Sequence, residues 1–490
     1  MKRLYVYLFV ALFSSVVTAQ DAHYWTEQFG TKSMLLSNSV VGVVEDLGAV
    51  FYNPARLGLV DNPAFVISGK VYELNKVTIH NATGDDPNAT KRNNKFGGGP
   101  SLVAGTFSVK GWDNHHFAYA FLTRRRMDTN ISGGAENYGQ LIEVLPGEEY
   151  FSGSINTNKK FNEEWMGGTW SYSGNDKFSI GVTGFLNIRD QNASGVTQLQ
   201  AYNHTDVALY QNRKSYSFKN YGLLFKIGLA AELDPVQIGL TITTPTIGLK
   251  GEGTFNYEQY LAGVGSEDAI YVRNNQSGVN CNYKTPFSVA VGVGVELWGG
   301  KLMGSGEYFH KINNYTIMQG ETFTGQSTGT DITPMLQDKL SSVINFGVGY
   351  NYVFNEHISG YLSYSTDYSA AVNSNKNLDD YSMDLQSSTF FSNINHYGGG
   401  VVLDFPRADI TLGATLASAK YPISQPIDFP DGDGGSIVDP DKYSDVSWNR
   451  WRFIVGISVP FVNEAAKRLE DKLTKKLQKK QRDKPKKKDQ

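Results

Sequence analysis

The sequence predicts an all-β protein: a 14-stranded antiparallel transmembrane β-barrel with an N-terminal plug (hatch) and a short C-terminal helical tail. Three observations predict it. Strand-like segments are joined alternately by a few turn residues and by long polar stretches. The strands have one apolar face and one small or polar face. An export signal is followed by no run of about 18 apolar residues that could cross lipid as a helix. A chain that enters a membrane without such a helix must close its strands into a barrel, because lipid offers no partner for an open edge.

Composition agrees with this class. Phe, Tyr and Trp make up 13% and Gly is 51 of 490 residues, the balance of half-apolar strands and tight turns. A soluble chain of this length divides into several domains, whereas a barrel uses it as one unit around a lumen. A secreted soluble all-β protein has a similar composition, so the order of the elements has to decide. Cys281 is the single cysteine, and no intrachain disulfide is possible.

Residues 1–19, MKRLYVYLFVALFSSVVTA, place Lys2 and Arg3 before an apolar run and end on small residues, a secretory signal cut before Gln20. No Cys follows the cut, so no lipid anchor is expected. Residues 20–62 break short apolar pieces with Gly and Asn, which suits a compact plug of short helices. Residues 63–461 hold the barrel. Strands are expected at 64–74, 101–109, 115–124, 162–173, 178–187, 216–233, 236–243, 287–297, 301–311, 342–354, 358–369, 396–403, 408–416 and 448–461.

Their connections carry the topology. Those at 110–114, 174–177, 234–235, 298–300, 355–357 and around Pro406 are hairpin turns rich in Gly, Asn, Asp and Pro. Those at 75–100, 125–161, 188–215, 244–286, 312–341, 366–395 and 417–447 are expected to be long polar loops. Strict alternation of this kind separates a periplasmic rim from an external one, and an even strand number returns both termini to the short-turn side.

Within the strands the side chains alternate. In 342–352, Ile344, Phe346, Val348, Tyr350 and Tyr352 share one face, expected toward lipid, and Val343, Asn345, Gly347, Gly349 and Asn351 share the other. In 448–461, Trp451, Phe453, Val455, Ile457, Val459 and Phe461 face lipid. Arg450 and Arg452 then point into the lumen. Trp112, Trp298, Tyr352 and Trp451 suit interfacial belts.

One stretch, residues 41–62, carries a family resemblance. Its Glu45-Asp46, Gly48-Ala49, Phe51-Tyr52-Asn53-Pro54-Ala55 and Leu57-Gly58-Leu59 resemble the N-terminal plug region of the FadL/TodX (OmpP1-like) outer-membrane transport family. Taken alone, Asn-Pro is also an ordinary turn. The resemblance implies a helical hatch in a fourteen-stranded barrel that passes hydrophobic compounds, with Asn53, Pro54 and Ala55 at the plug or gate. It further implies a Gram-negative outer membrane, contact with its lipid, periplasmic termini, and a hydrophobic small-molecule ligand such as a long-chain fatty acid or an aromatic hydrocarbon. No cofactor is implied.

Beyond the last strand, residues 463–490 carry twelve Lys/Arg against five Asp/Glu, about +7 in a chain whose net charge is −3. Ala465, Leu469, Leu473 and Leu477 recur every four residues, so 462–490 is expected to be a basic periplasmic helix with a loose end. It is either a solvated tail or a docking segment for a periplasmic or envelope protein; a nucleic-acid partner does not fit the export signal. No catalytic motif and no metal-ligand spacing stands out. His115-His116 is expected to be solvated, and Asp431-Gly432-Asp433-Gly434-Gly435 has Lys442 where a calcium loop needs Glu. Two functions stay open: passive uptake of hydrophobic molecules, or a structural and assembly subunit with a sealed barrel.

Overall fold

The computed structural model describes residues 23–60, 64–80, 91–139, 147–263, 269–370, 392–424 and 443–460. The expected signal, the tail and the Asp431–Gly435 run lie outside them. Strands in chain order are β1 Phe65–His80, β2 Lys91–Phe107, β3 His115–Gly139, β4 Glu149–Asn175, β5 Phe178–Tyr202, β6 Val207–Leu233, β7 Val236–Thr243, β8 Ile247–Ala262, β9 Ile270–Asn280 and β10 Ser288–Leu297. Then come β11 Gly300–Phe309, β12 Ile312–Gln319, β13 Phe323–Thr324, β14 Asp331–Ile332, β15 Met335–Leu340, β16 Val343–Asn355, β17 Ile358–Asp367, β18 Ile394–Asp404, β19 Asp409–Ser424 and β20 Tyr443–Val459.

Fourteen of these, β1–β7, β10, β11 and β16–β20, form one closed antiparallel barrel. The pairing of β1 with β20 joins the two ends of the chain, and β5 with β6 completes the ring. Closure gives every strand of the wall a neighbour on both sides over at least part of its length, which satisfies the paired backbone in a medium without water.

The two-faced pattern explains the wall. On β16, Ile344, Phe346, Val348 and Tyr352 are exposed, while Val343, Asn345, Gly347, Gly349 and Asn351 are buried. On β20, Trp451, Phe453, Ile457 and Val459 point out, and Arg450 and Arg452 point in, as expected. An apolar exterior of this extent belongs against hydrocarbon, since each such side chain left in water forgoes about 1.5–3 kcal/mol. The hairpin turns also fall where the sequence places them. Trp298 and Gly299 both have positive φ, 53° and 76°, the backbone a two-residue turn demands.

The expected long loops are largely strand, which corrects the sequence reading. Residues 125–139, 149–161, 188–202 and 207–215 continue β3 to β6 into a blade beyond the membrane. Outside lipid both faces of a strand can be polar, so hydropathy alternation stops while the backbone ladder goes on. The stretch 244–286 holds β8 and β9. β6 pairs with β7 up to Lys226↔Thr243 and with β8 from Leu223↔Ile247, so β7 and β8 form one strand interrupted at Pro245, which lacks a donor. The stretch 312–341 holds β12 to β15, whose Ile317, Met318 and Leu336 pack with Tyr216, Phe218, Phe255 and Val272 into a separate cluster above the wall.

Candidate functional site

Residues 23–60 lie inside the barrel. The 3-10 turn Ser33–Leu36 packs against β16 to β19, and the 3-10 turn Pro54–Gly58 packs against β3 to β6 across the lumen. A single helical turn, Ala49–Tyr52, stands between them. Asp46 organises this segment: its carboxylate accepts from the backbone N–H of Thr31, Ser33 and Gly48 and from the Ser33 hydroxyl, at 2.7–2.9 Å. Phe29, Phe51 and Tyr52 pack together beside Trp165 of β4, and the Tyr52 hydroxyl accepts from Phe29 N–H at 2.9 Å.

The three residues singled out by the sequence are fully buried and meet the wall together. Asn53 Oδ1 accepts from Ala55 N–H at 3.1 Å, capping the turn, and Pro54 opens it where no donor is needed. Asn53 Nδ2 donates to Val41 O and to Leu229 O of β6, both at 3.0 Å. Ser171 of β4 donates to Ala55 O at 3.2 Å. The element therefore ties one part of the segment to another and both to β4 and β6.

The wall is shaped to receive it. Gly181, Gly228, Gly239, Gly292 and Gly294 occupy lumen-facing positions of β5, β6, β7 and β10, where a Cβ would strike Pro54, Asn53, Val41, Gly42 or Val43. Hydroxyls complete the seat: Thr183 donates to Val50 O, Thr241 to Tyr52 O and Ser363 to Leu35 O, while Ser305 Oγ accepts from Val41 N–H. On β17, Asp367 accepts from Tyr24 and Trp25 N–H at 2.9 Å.

Ion pairs tie the segment at three further points. Arg56 pairs with Glu232 of β6, and Glu45 with Lys301 of β11. Glu27 pairs with Arg452 of β20 and, at 2.8 Å, with Lys70 of β1, while Arg452 also holds Glu73 at 2.8 Å. Burial pushes the Glu27 carboxyl up, but Arg452, Lys70 and Arg450 together hold it below its ordinary value. Arg450 and Arg452 also donate to Thr26 O at 2.9 and 2.8 Å.

Above this seat the wall parts. The β2–β3 ladder runs from Phe107↔Phe117 to Leu102↔Leu122 and stops, although β1–β2 continues to Ile79↔Lys91 and β3–β4 to Gly139↔Glu149. That ladder spans about 17 Å of strand at roughly 3.3 Å per residue, less than the apolar band of about 25 Å on a membrane barrel. The fork therefore opens at membrane level. Its cause is local. Pro100 has no N–H to donate, and Gly98 lies so close to the Lys70 and Val71 carbonyls of the β1 bulge that a Cβ would come within 2.9 Å of each. On β3 a register shift between Thr123 and Arg125 buries both Arg124 and Arg125. Arg124 donates to Tyr24 O at 2.6 Å and covers Phe51 and Trp165 at 5.3 and 5.5 Å. Thr123 donates to Pro100 O across the fork at 3.2 Å.

Comparison with solved structures shows what the fold is similar to. A Pseudomonas aeruginosa FadL homologue superposes with a TM-score of 0.58 over 89% of this chain and 100% of its own, at 11% identity. The barrel is FadL/TodX-like. The Pseudomonas putida toluene transporter TodX superposes with a TM-score of 0.53 over 89% of this chain and 99% of its own, at 13% identity. No protein-family model and no curated relative matches the sequence.

Several residues of this FadL/TodX-like interior escaped the sequence reading. Glu27 and the fork at 97–100 sit in stretches without periodicity, and Asp46, quoted for the resemblance, carried no sign of the donors it gathers. The glycine seat also went unread, although its signal was present: Gly181, Gly228, Gly239 and Gly292 share the phase opposite the lipid-facing residues of their strands. The pair His115-His116 is not freely solvated: His115 accepts from Trp170 Nε1 at 2.9 Å between Trp112 and Tyr172, and His116 meets Ser173 Oγ at 3.3 Å. Among the described residues no group of three or more His, Cys, Asp or Glu could hold a metal.

Proposed function

We propose that the protein is an outer-membrane barrel of a Gram-negative bacterium for passive uptake of hydrophobic small molecules such as long-chain fatty acids or aromatic hydrocarbons. Residues 23–60 act as its plug, with Asn53, Pro54 and Ala55 as the element that seats it. The observation carrying this reading is the parted wall: β2 and β3 separate at membrane level above a lumen whose lower part is filled. A hydrophobic molecule that reaches the lumen can leave sideways through the fork into lipid and need not cross the polar space below.

The test closes the fork. Gly97 faces open space and Met127 stands on the opposing strand, so Gly97→Cys with Met127→Cys can be bridged by a thiol-reactive crosslinker. Bridged protein should lose uptake of labelled toluene and oleate, and uncoupled protein should keep it. Uptake unchanged by the bridge excludes the sideways route.

The density of ties around the plug supports a second reading, a sealed barrel serving as a structural or assembly subunit. Under that reading neither the bridge nor deletion of residues 41–62 changes the passage of any solute, and the chain co-purifies with envelope proteins from native membranes.

A further inference from the structure

The blade formed by β3 to β6 ends in a row of aromatic rings that the uptake reading does not use. Tyr138 stands opposite Tyr150, Tyr150 opposite Tyr202, and Tyr202 opposite Val207, so these side chains lie side by side on one face. All of them are exposed, Tyr138 at 58%, whereas Phe151, Ala201 and Ala208 on the opposite face are buried. Between Tyr172 near the short-turn end and Tyr150 lie about 70 Å of strand at roughly 3.3 Å per residue. With a barrel tilt of about 40° this places the row well beyond a hydrocarbon layer of about 30 Å. The rings are therefore in water, where exposed aromatics in register signify a contact surface.

The charge beside them is of one sign. The Tyr150 hydroxyl donates to Glu136 and the Tyr138 hydroxyl to Glu148, so a carboxylate sits at the edge of each ring. Asp206 is exposed at the β5–β6 turn, next to Tyr202. Among the described residues 130–139, 147–158 and 194–211 there is no Lys or Arg. Tyrosine faces attract cations through the ring quadrupole, and carboxylates at their rim add Coulomb attraction and hydrogen bonds.

We propose that the outer face of this blade is a docking surface for a basic, Lys/Arg-rich polypeptide segment outside the cell, with the Tyr138, Tyr150 and Tyr202 rings taking guanidinium or ammonium groups and Glu136 and Glu148 pairing with them. It rests on the reading of the barrel as an outer-membrane one with the blade on its external rim, and is independent of what the lumen passes.

The experiment uses the full chain in zwitterionic nanodiscs and a labelled nona-arginine peptide as probe. Binding is expected, weakening as salt rises. The variant Tyr138→Leu/Tyr150→Leu/Tyr202→Leu keeps apolar bulk but loses the quadrupole, and should weaken it by at least about tenfold. Glu136→Gln/Glu148→Gln should weaken it severalfold and reduce the salt dependence. Each variant is checked for a closed barrel by its faster migration when unboiled. No binding, or binding the leucine variant retains in full, overturns the proposal. Salt-independent binding of a neutral dextran that is lost in the leucine variant, with nona-arginine unbound, overturns it in favour of a carbohydrate platform. Uptake of toluene or oleate is measured on the same variants and should stay unchanged, which separates this surface from the transport reading.

Discussion

Glu27, near the start of the described chain, is paired with Arg452 on β20, the last strand of the wall. The pair joins the N-terminal segment to the seam where β20 closes against β1, and Lys70 and Glu73 of β1 complete the cluster. The fit of segment and barrel thus depends on charges contributed from both ends of the sequence.

The first prediction concerns pH. Because the Glu27 carboxyl is held below its ordinary value of about 4.5, the pair contributes stability that is fully present above that value and is lost as pH falls through the lower folded one. Protease protection of residues 23–60 should therefore be flat from neutral pH to about pH 5 and fall only in stronger acid. Glu27→Gln should remove that acid dependence. Arg452→Ala leaves a buried carboxylate without its main partner and should loosen the segment by about 3–5 kcal/mol at neutral pH, read by hydrogen exchange.

Asp46 predicts a different failure. It binds donors within the segment, so Asp46→Ala should disorder residues 29–48 and leave the barrel strands intact. A charged acceptor lost from several buried donors costs about 2–4 kcal/mol. Amide exchange should accelerate in 29–48 and stay unchanged in β16 to β20; equal acceleration in both would show that segment and wall form one cooperative unit.

The glycine seat gives a steric prediction. A side chain at Gly292 meets the Val41–Gly42 backbone, and one at Gly228 meets the Ala55 backbone and the Asn53 side chain, which its hydrogen bonds to Val41, Leu229 and Ala55 hold in place. Gly292→Val and Gly228→Val should expel the segment from its seat and raise passage of small solutes through the reconstituted barrel, whereas Gly97→Val, in open space, should have no effect. Equal permeability of all three would remove the plug role assigned to residues 23–60.

The tail can be tested without knowledge of its structure. If residues 462–490 are a periplasmic docking segment, their removal should spare membrane insertion and weaken that association in a salt-dependent way, since each basic residue near an anionic surface contributes about 1 kcal/mol that salt screens. Unchanged association at every salt concentration would leave the tail a solvated appendage, and failed insertion would assign it to folding.

Local pattern was enough to determine the membrane part of this protein. Strand faces such as Ile344–Phe346–Val348 and turns such as Trp298–Gly299 are set by a two-residue period and by backbone conformations that few residues adopt, both readable in one dimension. The turn at Asn53-Pro54 was legible for the same reason, since capping and a proline at the first helical position are local requirements, whereas its place in a plug came only from the family resemblance. What only the tertiary structure decided lies where the constraint comes from distant chain. Residues 125–139 and 188–202 are strand because a neighbouring backbone pairs with them, although water on both faces erased their hydropathy period. Glu27 finds Arg452, and Gly292 meets Gly42, only once the barrel has closed around the segment. The fork at Leu102–Leu122 is the clearest case. The Gly98–Pro100 stretch, the β1 bulge and the β3 register shift lie apart in sequence, and their joint effect exists only once β1, β2 and β3 stand side by side.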